Sequence, residues 1–178
     1  MLQMNSDFYL NQQKLLASSN WYRWFWKLWG IYVVLFIFAL GIYLIAVGQW
    51  QKVALAFCAF ILGRLIISPL IYLVYKKERP YQRLNFKPAE LSWLFSKITE
   101  RHNSFPSDHA VSFASVSMVI LYFFPVLGSV MVFVTILDGL GRVVLGYHYV
   151  WHVLVGWMVG VLSALAVIYW LSPVLFTR

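Results

Sequence analysis

Charged side chains are scarce in this sequence: Asp, Glu, Lys and Arg make up 11% of 178 residues, against 62% hydrophobic ones. With a mean hydropathy of +0.74, the chain lies outside the range of soluble globular domains, where about 25% of residues are charged. Lipid is the solvent it requires. Acidic residues are the scarcer sign, six against fourteen basic ones. A net charge of +8 in so apolar a chain points to anionic headgroups or phosphate as partners and away from nucleic acid. Cysteine is nearly absent. The single Cys58 excludes an intramolecular disulfide, carries no information on redox compartment, and sits in an apolar run as a packing residue. The chain also lacks an internal repeat and a low-complexity tract, and its start lacks the short apolar core with a small-residue cleavage site of a secretory signal.

What is present is a series of long apolar runs. At roughly 20 apolar residues per crossing, there is room for about five or six transmembrane helices and no separate soluble domain. The expectation is an all-α, polytopic membrane helix bundle forming one domain over 1–178, with spans at 31–47, 53–75, 108–124, 129–147 and 150–171. The stretch 11–29 mixes Gln, Lys and Arg with Leu, Trp and Phe, which predicts an interfacial amphipathic helix. Trp21, Trp24, Trp50, Trp151 and Trp170 sit at the ends of apolar runs, where amphipathic rings favour the headgroup layer. Pro88 opens a short amphipathic helix over 89–98 on the membrane surface. The third span starts after a break at Phe105-Pro106-Ser107, Pro125 and Gly128 make a tight turn, and the fifth span ends before Pro173.

With five crossings, the polar segment 76–107 and the turn near 148–151 emerge on the same side. Three polar clusters meet there: Lys76-Lys77-Glu78-Arg79-Pro80, Ser104-Phe105-Pro106-Ser107-Asp108-His109, and Arg142-x5-His148 with His152 one helical turn on. Phosphoryl transfer uses such parts. Fixed cations match the charge on the transferred group while one side chain attacks and another protonates the leaving oxygen. Arginine grips two phosphate oxygens with a planar fork, and histidine serves as nucleophile when neutral and as general acid when protonated. Blander readings stand beside this one. His148 and His152, at i and i+4, also suit a metal or haem pair. Asp138 and Arg142 also suit a structural ion pair, the basic run 76–101 a positive-inside loop, Arg64 a structural or snorkelling role, and His102 a plain interfacial one.

Over roughly residues 76–156 these strings resemble the type 2 phosphatidic acid phosphatase superfamily, whose pattern is K-x6-R-P, then P-S-G-H, then S-R-x5-H-x3-D. Within it, the Ser104 to His109 string and the Gly-x-His-Tyr form of Gly146 to Tyr149 are similar to small bacterial undecaprenyl pyrophosphate phosphatases of the bacitracin-resistance type. The resemblance implies that His148 attacks phosphorus to give a phosphohistidine and that His109 protonates the departing oxygen. Arg79, Arg142 and the Ser107 segment bind the phosphate, and neither metal nor cofactor is required. It also implies a bacterial inner-membrane location with the site facing the periplasm, although the Lys and Arg count of the loops favours the cytoplasm. Three positions depart from the pattern. Tyr72 stands at the first-motif lysine, leaving Lys76 or Lys77 to substitute; Gly141 stands at the serine before Arg142; and His152 stands where an aspartate orients the nucleophile. Asp138 and Asp108 are then the remaining acids that can help. The implied substrate is undecaprenyl diphosphate, with phosphatidylglycerophosphate or phosphatidic acid as alternatives. The loss of the aspartate leaves open a catalytically weak relative that only binds lipid phosphates.

Overall fold

The computed structural model describes residues 6–86 and 104–176, and every regular element among them is helical. In chain order these are α1 (Ser6–Ser18), α2 (Asn20–Ala46), α3 (Trp50–Val74), the one-turn α4 (Pro80–Arg83), α5 (Asp108–Phe123), α6 (Pro125–Val144) and α7 (Val150–Phe176). Helices α2, α3, α6 and α7 are long and apolar enough to cross a membrane. The fifth apolar helix, α5, has 16 residues and spans about 24 Å at 1.5 Å per residue. The chain is a multi-pass helical membrane protein. The amphipathic helix expected over 89–98, with Lys87, Lys97, Arg101 and His102, lies outside the described residues.

Helix α5 is the centre of the bundle, packing against α3, α6 and α7. Lipid tails are as apolar as leucine, so helix association in a bilayer depends on close packing and interhelical hydrogen bonds. Both are visible. Gly156 and Gly160, spaced four apart on α7, lie against Ala110 and Ala114 of α5, and a Cβ on Gly160 would stand 2.5 Å from the Val111 carbonyl oxygen. Between α5 and α6, the hydroxyls of Ser117 and Thr135 are 2.7 Å apart. Outward-facing side chains such as Leu35, Phe38, Leu73, Val126 and Trp170 are exposed and form the lipid-facing surface.

Four local expectations are corrected. The N-terminal stretch is not one interfacial helix over 11–29. It breaks at Ser18–Ser19, where the Ser19 hydroxyl caps the next helix by accepting from the Tyr22 N–H at 3.3 Å. Helix α1 docks on the bundle through the buried Tyr9 and Leu16, and the apolar helix that holds the first span is continuous from Asn20. Pro125 and Gly128 do not form a turn: Pro125 is the first residue of α6, where a missing N–H costs nothing. Gly128 lies inside that helix, where a Cβ would fall 2.0 Å from the Leu121 Cα and a larger residue would not fit. Helix α6 stops at Val144 and not at 147, for a reason that belongs to the site. Helix α7 continues through Pro173, which sits in its final turn and disturbs little of the hydrogen-bond ladder.

Two π-helical turns interrupt the long spans, Leu28–Tyr32 in α2 and Ile61–Ile67 in α3. Each contains a glycine pressed on a neighbour, Gly30 on α6 and Gly63 on Ser163 of α7 and Val111 of α5.

Candidate active site

The Arg142-x5-His148 spacing follows from how α6 ends. Gly146 adopts φ +82°, a left-handed conformation that glycine reaches without Cβ strain. Its N–H bonds the Val143 carbonyl at 3.0 Å, and the Tyr147 N–H returns to the Arg142 carbonyl at 3.0 Å, the paired bonds of a Schellman cap. The His148 N–H also reaches the Arg142 carbonyl, at 3.3 Å. The cap thus folds the chain back so that the histidine lies beside the arginine that closes the helix. Both are buried, Arg142 at 2% and His148 at 4% exposure.

The other two clusters are tied to this turn and to each other by backbone hydrogen bonds. Arg79 precedes Pro80, which forces it into extended geometry at φ −78°, ψ 153°. The next N–H, of Tyr81, donates to the Gly146 carbonyl at 3.3 Å, joining the first cluster to the third. The Ser104 N–H donates to the Lys77 carbonyl at 2.9 Å, joining the second to the first. The Ser107 N–H donates to the His152 carbonyl at 3.0 Å, joining the second to the third. These three bonds close a triangle at one end of the bundle. The Phe105–Pro106 peptide within it is cis.

Inside the triangle several buried polar atoms, the Nε atoms of Arg79 and Arg142 and the Ser107 hydroxyl among them, have no hydrogen-bond partner among the described residues. Buried donors are normally satisfied. Unpartnered donors on two cations and a hydroxyl suit an anion with several oxygens. Asp138 accompanies Arg142 at 3.9 Å, an ion pair too long for a hydrogen bond, and the guanidinium also lies 5.5 Å from the Tyr147 ring centre. Burial raises the Tyr147 phenol to about 12. Arg79 and Arg142 act electrostatically on both His109 and His148, so the two imidazoles share the field of the same two guanidiniums. His109 stands in the first turn of α5, its ring stacked 6.3 Å from that of Phe113. Lys76 and Lys77 are exposed; the Lys77 ammonium lies 5.9 Å from the Tyr75 ring centre.

His148 is held by Ser104, the first residue of the second cluster, whose residue type alone assigns it no role. The Nδ1 of His148 lies 2.9 Å from the Ser104 carbonyl oxygen. A carbonyl only accepts, so Nδ1 carries the proton and Nε2 keeps its lone pair. The Nδ1 of His152 lies 2.8 Å from the Ser104 hydroxyl. On the far side, Tyr9 of α1 donates its hydroxyl to the His148 carbonyl at 3.3 Å. Burial and the charges of Arg79 and Arg142 hold the His148 imidazole well below its usual value, with the Ser104 carbonyl opposing them.

Of the two acids that can help, Asp138 stays beside Arg142, and Asp108 is committed to the start of α5. Asp108 accepts from Arg64 at 2.9 Å and from the Tyr72 hydroxyl, which also reaches the Pro106 carbonyl at 3.2 Å. Tyr72, at the first-motif lysine position, therefore steadies the start of α5, and Arg64 is the ionic partner of Asp108 there. An apolar cavity of about 480 Å³ opens between α2, α3 and α5. Ile37, Phe38, Phe57 and Val116 line it, and it reaches Ser112 and Phe113, about one turn from His109.

Comparison with known proteins now defines the class. The PAP2 superfamily model matches residues 52–175, which takes in all three clusters, and the chain belongs to that superfamily. Among curated proteins it is similar to the bacitracin transport permease protein BcrC of Bacillus licheniformis, 35% identical over 91 residues. The match covers 50% of this chain and 44% of that relative, so the chain aligns with less than half of the relative's length. No solved structure matches.

Proposed function

We propose that the protein is a membrane lipid-phosphate phosphatase that hydrolyses undecaprenyl diphosphate to the monophosphate through a phosphohistidine on His148. The observation that carries this reading is the backbone triangle that gathers Arg79, Ser107, Arg142 and His148 while leaving buried donors unpartnered. Arg79, Arg142 and the Ser107 hydroxyl hold the non-bridging oxygens of the terminal phosphoryl group, with Lys76 and Lys77 drawing the anion in. The Nε2 lone pair of His148 attacks phosphorus. The bond to the lipid-side oxygen breaks with its electron pair, and His109 supplies the proton that oxygen takes up. Water, giving a proton back to His109, then cleaves the phosphorus–nitrogen bond and releases inorganic phosphate. The fixed cations act where charge builds in the transition state.

The choice of an isoprenoid diphosphate among lipid phosphates rests on the resemblance to bacitracin-resistance phosphatases; the name of BcrC likewise ties that relative to bacitracin. The apolar cavity beside the first turns of α5 suits the lipid chain. This reading places the site on the outer face of a bacterial inner membrane, where the product is recycled into envelope synthesis. The test is phosphate release by purified protein from undecaprenyl diphosphate, phosphatidylglycerophosphate and phosphatidic acid, with His148→Ala as control. Turnover by wild type alone, fastest on the diphosphate, supports the proposal. Equal phosphate release by wild type and His148→Ala, or none by either, ends it, and preference for another lipid removes the substrate assignment.

A further inference from the structure

We propose that Ser104 replaces the missing carboxylate at His148, its carbonyl orienting the imidazole, and that His152 is a positioning residue acting through the Ser104 hydroxyl. This rests on the phosphatase reading and deepens it at the same site. A histidine nucleophile needs its proton confined to one nitrogen and its ring fixed, a task a carboxylate performs in related triads. At position 152 the chain has an imidazole, with no negative charge to offer. Its Nδ1 nevertheless engages the neighbourhood of His148, 2.8 Å from the Ser104 hydroxyl, while that hydroxyl stands 3.5 Å from the His148 Nδ1. The direct acceptor is the Ser104 carbonyl at 2.9 Å. Three contacts then hold Ser104: its N–H on the Lys77 carbonyl at 2.9 Å, its hydroxyl on His152, and its carbonyl on His148. Ser104 and His152 are both completely buried.

Position 152 is fixed in turn by its surroundings. The His152 carbonyl accepts the Ser107 N–H at 3.0 Å, and its ring meets Phe105 and Trp151 edge-on at 5.4 Å and 4.2 Å. The serine that begins the second cluster and the histidine that ends the third are thus one unit. A backbone acceptor selects the tautomer but stabilises the imidazolium-like charge of the attacking ring less than a carboxylate does, so the unit is a positioning device.

The test uses the full chain in detergent micelles or nanodiscs, with turnover and 15N spectra of labelled histidine. Ser104→Ala keeps the carbonyl and removes the hydroxyl; His152→Ala removes the brace; His152→Asn keeps a polar atom where Nδ1 stands. Each alanine variant lowers kcat about 10- to 100-fold, as outer-sphere partners do, with KM changed little. The double variant loses no more than the worse single, since the residues act as a unit. His152→Asn recovers most of the loss, and His148 carries its proton on Nδ1 in wild type. Multiplying losses in the double variant, an asparagine no better than alanine, or a wild-type His148 protonated on Nε2 would each overturn the inference. Absence of turnover by wild type would instead strike the phosphatase reading, while the spectra still decide whether Ser104 holds the ring.

Discussion

Gly141 stands against Gly30 so closely that a Cβ built on it falls 2.8 Å from both the Cα and the N of Gly30. The obstructing atoms are backbone, which cannot swing aside, and the contact joins α6 to the π-helical turn of α2. The resemblance places a serine before the arginine of the third motif; here that serine would push α2 away from the helix end that carries Arg142. Gly141→Ser is expected to destabilise the protein by about 1–3 kcal/mol, the usual range for overpacking, and to leave phosphatase activity no higher than wild type. Thermal unfolding in micelles and phosphate release measure the two effects. A serine variant as stable as wild type and more active would mean that the glycine is a lost ligand and not a packing requirement.

Arg64 and Asp108 form the other contact the motifs did not anticipate, at 2.9 Å with each side chain about one-fifth exposed. Asp108 begins α5, where a carboxylate complements the helix dipole, and it precedes His109. Arg64→Leu removes the guanidinium that balances the charge of that carboxylate. The expected loss is about 1.5–3 kcal/mol, the worth of a charge-assisted hydrogen bond, with a parallel fall in kcat as the first turn of α5 loosens. Arg64→Lys, which keeps the charge, should recover part of both. Unchanged stability in Arg64→Leu would make the pair a passive surface bridge.

The architecture was readable from the sequence because each span is a long apolar run, and in lipid a helix is the form that satisfies its own backbone. Proline extends Arg79 and a glycine caps the helix before His148, but the apolar run carried the expected span through to 147, past the cap at Gly146. The docking of α1 was not legible because its hydrogen-bonding anchor, Tyr9, is one aromatic ring in a mixed stretch, and its partner lies 139 residues away. Ser104 stands in the second cluster, yet its role was not legible there, for a related reason. Its contribution to His148 is a backbone carbonyl, and no side-chain pattern advertises a carbonyl. The departures at 72 and 141 looked like losses in one dimension. In three dimensions each is taken up by a neighbour, Asp108 for Tyr72 and Gly30 for Gly141.

The environment of His148 sets a pH dependence. Attack requires the neutral imidazole, and burial, followed by the charges of Arg79 and Arg142, lowers its pKa well below the usual value of about 6.5. The acid limb of kcat/KM reports the free enzyme and should therefore lie below pH 6.5, a region where an ordinary histidine would already be protonated. Arg79→Gln removes the leading charge that opposes protonation, so the limb should move to higher pH while the maximum falls from the lost phosphate contact. The same shift bears on stability. Below about 6.5 an unfolded histidine takes up a proton that the folded His148 refuses, so stability is full above that pH and declines as pH falls through the folded pKa. His148→Gln should flatten that decline in thermal unfolding measured from pH 7 down to pH 4. An acid limb at or above 6.5 in wild type would show that the imidazole is neither as buried nor as close to the two guanidiniums as the structure has it.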